Sequence, residues 1–249
     1  MNGADAYVSL TGVAKRFDET VVLDDISLSI KLGEIVCVMG PSGSGKTTLL
    51  RSVNALSPVD EGRITVGDHV VTDASVDLRG LRLTIGMVFQ RFGLFPHKSA
   101  LENIVMGQVD ILARSRAEAT DKARGLLDCL GIDGFRDRYP GQLSSGQQQR
   151  VALARTLAMD TKALLLDEVT ASLDPRMVER IGRLIKERAA AGTAILASSH
   201  DLQFVANFAD NVAYLDGGHM RQVGTPSEML AFIKAEEARH KAEEAEGGD

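Results

Sequence analysis

Four stretches of the chain are apolar almost without interruption: the run from Glu34 to Met39, apolar from Ile35 onward, and residues 85–89, 163–166 and 194–197. Such runs are the pattern of strands covered on both faces. Elsewhere the pattern alternates. Ile26, Leu28 and Ile30 are spaced by Ser27, Ser29 and Lys31, a period of two that marks a strand covered on one face. Ile64-Thr65-Val66 and His69-Val70-Val71 flank Gly67-Asp68 and predict a hairpin. Helical signals fall between the buried runs. Ser115 and Glu118 form a capping-box pair ahead of Ala119, Ala123, Leu126, Leu127 and Leu130, and Gly131 supplies a stop. Asp174-Pro175 opens a second helix carrying Met177, Ile181, Leu184 and Ile185, which Gly192 ends. Thr225, Pro226 and Glu228 open a last one.

Strands alternating with helices predict an α/β fold with a mostly parallel sheet. The alternating strands near the N-terminus add an antiparallel β subdomain. The helix-rich residues 92–149 read as an inserted α-helical subdomain between core segments 1–91 and 150–233, within one domain spanning the chain. Residues 234–249 are charged and Ala-rich and predict a solvated helix fraying into a tail.

Composition narrows the partners. With 44% apolar and 25% charged residues among 249, the chain has material for a sizeable core. A net charge of -6 argues against nucleic acid as a partner. No run approaches the roughly 20 apolar residues that cross a bilayer, and residues 1–7 lack a signal pattern. Membrane association is therefore expected only through a partner. Cys37 and Cys129 match no metal spacing; Cys37 reads as a small core residue, and the pair as free thiols of a reducing compartment.

The chemistry lies in Gly40, Pro41, Ser42, Gly43, Ser44, Gly45, Lys46 and Thr47, spaced G-x-x-x-x-G-K-T after a buried strand and before an apolar helix over 48–56. This is a phosphate-binding loop. Its glycines let backbone N–H groups turn inward on a β-phosphate, and the helix N-terminus adds its dipole. Lys46 is expected to reach the β- and γ-phosphates, Thr47 to place its hydroxyl on Mg²⁺, and Thr48 to continue the cradle. The apolar strand 163–166 ends in Asp167 and Glu168. Asp167 is expected to hold Mg²⁺ through water, and Glu168 to act as general base toward an attacking water.

Leu143-Ser-Ser-Gly-Gln-Gln-Gln-Arg150, following the phosphate loop and preceding Asp167-Glu168, resembles the signature motif of ABC ATPases. The resemblance runs from about Tyr7 to Ile233. It implies a RecA-like phosphate-loop NTPase core, ATP and Mg²⁺ as cofactors, and a head-to-tail homodimer. In that dimer Ser144, Ser145, Gly146 and Gln147 of one copy complete the other copy's site. It also assigns Gln90 to the Q-loop at metal or water, Ser172, Leu173 and Asp174 to the D-loop with Asp174 at the nucleotide, and His200 to the switch histidine. Phe17 stands where the family stacks an aromatic on adenine, and ordinary packing on its strand accounts for it equally well.

Three departures are visible. Ser145 occupies the usual first glycine of the signature, where a serine crowds the phosphate, strains the backbone or instead adds a hydroxyl donor; because serine is small, hydrolysis that is retained but altered is expected. Val169 replaces a proline, and Ala171-Ser172 inverts the common order. Residues 90–104, with an apolar lip expected at Phe92, Leu94 and Phe95, and Tyr139-Pro-Gly-Gln142 resemble bacterial importer subunits, most of all those for polar amino acids. This implies an ATPase on the cytoplasmic face of the inner membrane, docked on two permease subunits near 90–104 and served by an extracytoplasmic receptor. The alternatives are importers of osmolytes or phosphonates, a slow ATPase acting as a switch or scaffold on a membrane partner, and an ATPase acting on DNA or ribosomes. The last usually carries coiled-coil inserts or zinc modules not seen here.

Overall fold

A computed structural model describes residues 6–171, 173–233 and 235. The chain opens with two long strands, β1 (Ala6–Phe17) and β2 (Thr20–Lys31), then β3 (Ile35–Met39), α1 (Lys46–Val53), β4 (Glu61–Val66), β5 (His69–Val70), α2 (Leu78–Thr84) and β6 (Ile85–Val88). Three helices follow: α3 (Ala100–Asp110), α4 (Arg116–Cys129) and α5 (Ser145–Leu157). The remainder is β7 (Ala163–Asp167), α6 (Pro175–Ala190), β8 (Ala194–Ser198), α7 (Leu202–Phe208), β9 (Asn211–Asp216) and β10 (His219–Gly224), with residues 226–233 helical beyond.

The strands form two sheets. One is antiparallel, in the order β2-β1-β4-β5, and includes the expected hairpin, with Thr65 opposite Val70 and Val66 opposite His69. The other runs β10-β9-β3-β8-β7-β6 and is parallel throughout except for the edge strand β10. The four apolar runs are its β3, β6, β7 and β8, and every residue of these strands is buried. Alternation of the pleat divides them between two cores. Val36, Val38, Leu165 and Leu196 face the antiparallel sheet together with Leu49, Leu50 and Val53 of α1. Ile35, Cys37, Leu166 and Ile195 face the helical layer of α3 to α7. Burial there pushes the Cys37 thiol up to about 12, as befits an inert core residue.

Helix ends follow the expected caps. Ser115 and Glu118 close a reciprocal capping box, Asp174 accepts from the Met177 N–H, and Thr225 and Glu228 do likewise for residues 226–233. Gly131 and Gly192 terminate α4 and α6 at φ of 66° and 95°. The helix expected over 48–56 is shifted: α1 starts at Lys46, because Gly45 turns directly into it, and stops before Ala55, which is left-handed. The boundary at residue 149 falls inside α5, which begins in the helical segment and ends on the sheet, where Thr156 donates to the Met87 carbonyl. α7, β9 and β10 have no counterpart in the sequence patterns above. The predicted tail, apart from residue 235, lies outside the described residues.

Candidate active site

The parallel register brings four strand ends to one edge. Val38 and Asp167 both lie opposite Ser198, and Val88 lies opposite Leu166. The residues that follow these strands, Gly40 after β3, Gln90 after β6, Glu168 after β7 and His200 after β8, are therefore neighbours. This is the carboxyl edge of an open α/β sheet, where ligands bind.

The loop after β3 needs two of its glycines, Gly40 and Gly45, for space as well as for φ. A Cβ at Gly40 (φ 145°) would sit 1.9 Å from the Leu215 carbonyl oxygen, and one at Gly45 (φ 103°) 2.7 Å from that of Val22. Backbone cannot yield to either contact. The loop delivers Lys46, 5% exposed, whose Nζ donates to the carbonyls of Gly40 at 2.9 Å and Pro41 at 2.7 Å. Burial lowers the Lys46 pKa, and Glu168 and Asp167 pull it partly back. An ammonium held by carbonyls at the mouth of a helix N-terminus is charge ready for an anion. Ser44 Oγ is buried there without a hydrogen-bond partner among the described residues.

Asp167, 1% exposed, accepts through Oδ1 from Thr47 Oγ1 at 3.1 Å and from Ser198 Oγ at 2.8 Å. Its Oδ2 is buried without a partner among the described residues. Glu168 leaves the strand through a left-handed turn (φ 52°). Its N–H donates to the Ser198 carbonyl and hydroxyl, and its own carbonyl accepts from Gln149 Nε2 at 3.0 Å. The turn aims the carboxylate between Gln90, whose Nε2 donates to Oε2 at 2.9 Å, and His200, whose Nε2 lies 3.0 Å from Oε1. Glu168 and His200 line a recess of about 260 Å³.

The remaining expected residues stand apart from this cluster. Ser144 caps α5 in a reciprocal box with Gln147, and Ser144 and Ser145 are exposed. Ser145 is the first residue of α5 and does not have positive φ, so backbone strain, one of the alternatives for a serine there, is absent. Asp174 is exposed and caps α6. Ser172 lies outside the described residues. Phe17 is 49% exposed with Lys15 Nζ 5.1 Å from its ring centroid, so core packing does not account for it. The apolar lip is smaller than expected. Phe92 and Leu94 pack against the helical core, and Phe95 is the exposed member, with the Arg155 guanidinium over its ring. Phe95 lines a largely apolar groove of about 270 Å³ with Leu83, Met106 and Ile111. The sequence patterns single out neither Ser198 nor Gln149 as a site residue. A serine ending an apolar strand was the signal for the first, and nothing in sequence distinguished Gln149 from its neighbours.

A family model described as ABC transporter matches residues 23–171. Over 211 residues the chain is 45% identical to the glutamate/aspartate import ATP-binding protein GltL of Escherichia coli, covering 85% of this chain and 88% of that protein. It is 41% identical to the glutamine transport ATP-binding protein GlnQ of Bacillus subtilis, over 93% of this chain and 96% of the relative. Among solved structures, the ATP-binding cassette MJ0796, a dimer in a post-hydrolysis state bound to ADP and Pi, superposes with a TM-score of 0.82 at 34% identity, covering 88% of this chain and 98% of that one.

Proposed function

Because the chain belongs to the ABC transporter family, we propose that it is the ATP-hydrolysing subunit of a membrane importer and that its solutes are polar amino acids. ATP binding and hydrolysis rest on the family and on the cassette bound to ADP and Pi. The amino-acid class rests on relatives named for glutamate/aspartate, glutamine, arginine and cystine transport.

The observation that carries the catalytic reading is the setting of Glu168, held between Gln90 and His200 beside the phosphate loop. Glu168 takes a proton from the attacking water as its oxygen bonds to the γ-phosphorus and the bond to the ADP oxygen breaks. Gln90 and His200 keep the carboxylate facing that water, and His200 also serves as a donor to the γ-phosphate. Lys46, the loop N–H groups and the α1 N-terminus hold the triphosphate. Phe17 offers an exposed ring for adenine.

Mg²⁺ fits the donor set. Asp167 presents a buried oxygen without a partner among the described residues, and Thr47 has its hydroxyl beside it. Among the described residues no cluster of three or more His, Cys, Asp or Glu can hold a metal ion. That suits a cation which keeps water and phosphate oxygens as most of its ligands. When bound it neutralises charge on the phosphate oxygens.

The Ser144–Gln147 cap, exposed at Ser144 and Ser145, is read as the face presented to the nucleotide of a second copy, in line with the dimeric cassette. The groove beside Phe95 is read as the seat of a permease helix. No helix among the described residues is long and apolar enough to cross a membrane. The reading of attachment through a permease, with the ATPase at the cytoplasmic face and a separate receptor outside, is supported by relatives named as ATP-binding proteins of import and transport systems. Co-expression with the candidate permease subunits tests the assignment. A complex of two permease and two ATPase copies is expected, and it should be lost in Phe95→Asp. A Phe95→Asp chain that still co-purifies refutes the groove, and absence of any permease complex refutes the importer role.

A further inference from the structure

Ser198 ends β8 and is 2% exposed. Its hydroxyl donates to Asp167 Oδ1 at 2.8 Å and accepts from the Glu168 backbone N–H at 3.1 Å. One buried side chain thus touches both acids of the Asp167-Glu168 pair, from a neighbouring strand.

The contact makes the two oxygens of Asp167 unequal. Oδ1 has two donors, Thr47 and Ser198, while Oδ2 is buried with none among the described residues. A carboxylate oxygen offers about two acceptor sites. Oδ1 is therefore filled, and Oδ2 is the oxygen left for an electropositive group, since a buried charged oxygen without one is costly. Without the Ser198 hydroxyl, Thr47 would be the remaining side-chain donor, and Thr47 is itself assigned to the cation. Neither carboxylate oxygen would then be anchored by a group independent of the ligand. At Glu168 the same hydroxyl shares an N–H with the Ser198 carbonyl, which lies 3.2 Å away, and so helps hold the left-handed turn that aims the base.

We propose that Ser198 is a positioning residue of the ATPase. Its hydroxyl orients Asp167 so that Oδ2 is the oxygen offered to the nucleotide-borne divalent cation, and it couples that orientation to the turn at Glu168. The inference rests on the reading of Asp167 as the cation-holding carboxylate.

The test uses the full chain, with Mn²⁺ as the probe cation and ADP as the nucleotide. ADP affinity is measured by calorimetry in EDTA and at saturating Mn²⁺, with bound Mn²⁺ followed by electron paramagnetic resonance. Ser198→Thr keeps a hydroxyl, and Ser198→Val has nearly the same shape without it. The Val variant is expected to lose about tenfold or more of the Mn²⁺-dependent gain in ADP affinity, the usual effect of removing a partner behind a metal ligand. Its affinity in EDTA should stay within about twofold of wild type, because the hydroxyl touches no group assigned to the phosphates. Ser198→Thr should retain the gain. Equal gains in the Val and Thr variants overturn the proposal. If either variant melts far below wild type, Ser198→Ala, which removes one oxygen and adds nothing, decides by the same criterion. Should wild type and Asp167→Asn show the same cation dependence, the assignment of Asp167 falls, and the role of Ser198 with it.

Discussion

Replacing Glu168 by glutamine separates the chemistry from the fold. The carboxylate accepts from Gln90 through one oxygen and meets His200 through the other. An amide keeps one acceptor and turns the other oxygen into a donor. Facing His200, that donor can be accommodated if the imidazole presents Nε2 as an acceptor. At most one hydrogen bond is weakened at a partly exposed site, which is worth about 1 kcal/mol. The backbone anchors at Ser198 and Gln149 are untouched, so the melting temperature should fall by no more than about 4 °C. The amide cannot take the water's proton. Loss of a general base costs about 10²- to 10⁴-fold in turnover, or roughly 3–5 kcal/mol of barrier. Phosphate release at saturating Mg²⁺·ATP, with ADP affinity and thermal melting measured in parallel, reads the two effects apart. Turnover within about threefold of wild type, with melting unchanged, would refute the assignment of Glu168 as base.

Three further outcomes follow from the geometry. Ser145→Gly should leave turnover within about threefold of wild type, because Ser145 sits unstrained in the first turn of α5 and glycine costs only a few tenths of a kcal/mol there. A tenfold or greater rise in phosphate release would show instead that the serine side chain obstructs the site. Lys46→Met should reduce ATP affinity about 100-fold or more, for two charge-assisted phosphate contacts of roughly 1.5–3 kcal/mol each, while the nucleotide-free protein melts at or above the wild-type temperature. Burial lowers the Lys46 pKa, so the unfolded chain binds the proton more tightly and wild-type stability rises with pH through a window just below the usual lysine value of about 10.4. The melting gap should narrow there, and a gap that widens would contradict the sign. Asp160 gathers Arg114 at 2.6 Å, Arg188 at 3.2 Å and Lys122. Burial pushes its carboxyl up, and Lys122 and Arg114 more than reverse this, leaving it below the usual carboxylate range. Asp160→Asn should cost about 1 kcal/mol at neutral pH, discounted for partial exposure, with the difference vanishing as acid protonates the wild-type carboxylate below about pH 4. Denaturant melts at pH 7 and pH 3 check this, and an equal difference at both would exclude the ion cluster as its source.

What lay within a few residues along the chain was legible in the sequence. The caps at Ser115, Asp174 and Thr225, the stops at Gly131 and Gly192, the hairpin at Gly67 and the phosphate loop are each closed by hydrogen bonds or backbone angles spanning two to five positions. The four uninterrupted apolar runs became the fully buried strands β3, β6, β7 and β8, because two-sided burial leaves no polar alternation to mistake. The order of motifs named the family, and with it residues such as Gln90 and His200 that carry no local signal of their own.

Tertiary structure decided which of these side chains meet. Gln90 and Glu168 are 78 positions apart, and Ser198 and Asp167 31 apart, and each pair is joined only because parallel register aligns the ends of separate strands. Exposure was equally a matter of packing. Phe92, Leu94 and Phe95 are alike as apolar residues in sequence, yet the helical core takes the first two and leaves Phe95 at the groove. Ser145 invited a strain argument from the glycine it replaces, and the start of α5 removed it by supplying an ordinary helical backbone. Composition and spacing determine which groups are present and how the nearest residues fold. The distance between groups remote in sequence depends on strand order and register, which many sequences with the same local signals could satisfy differently.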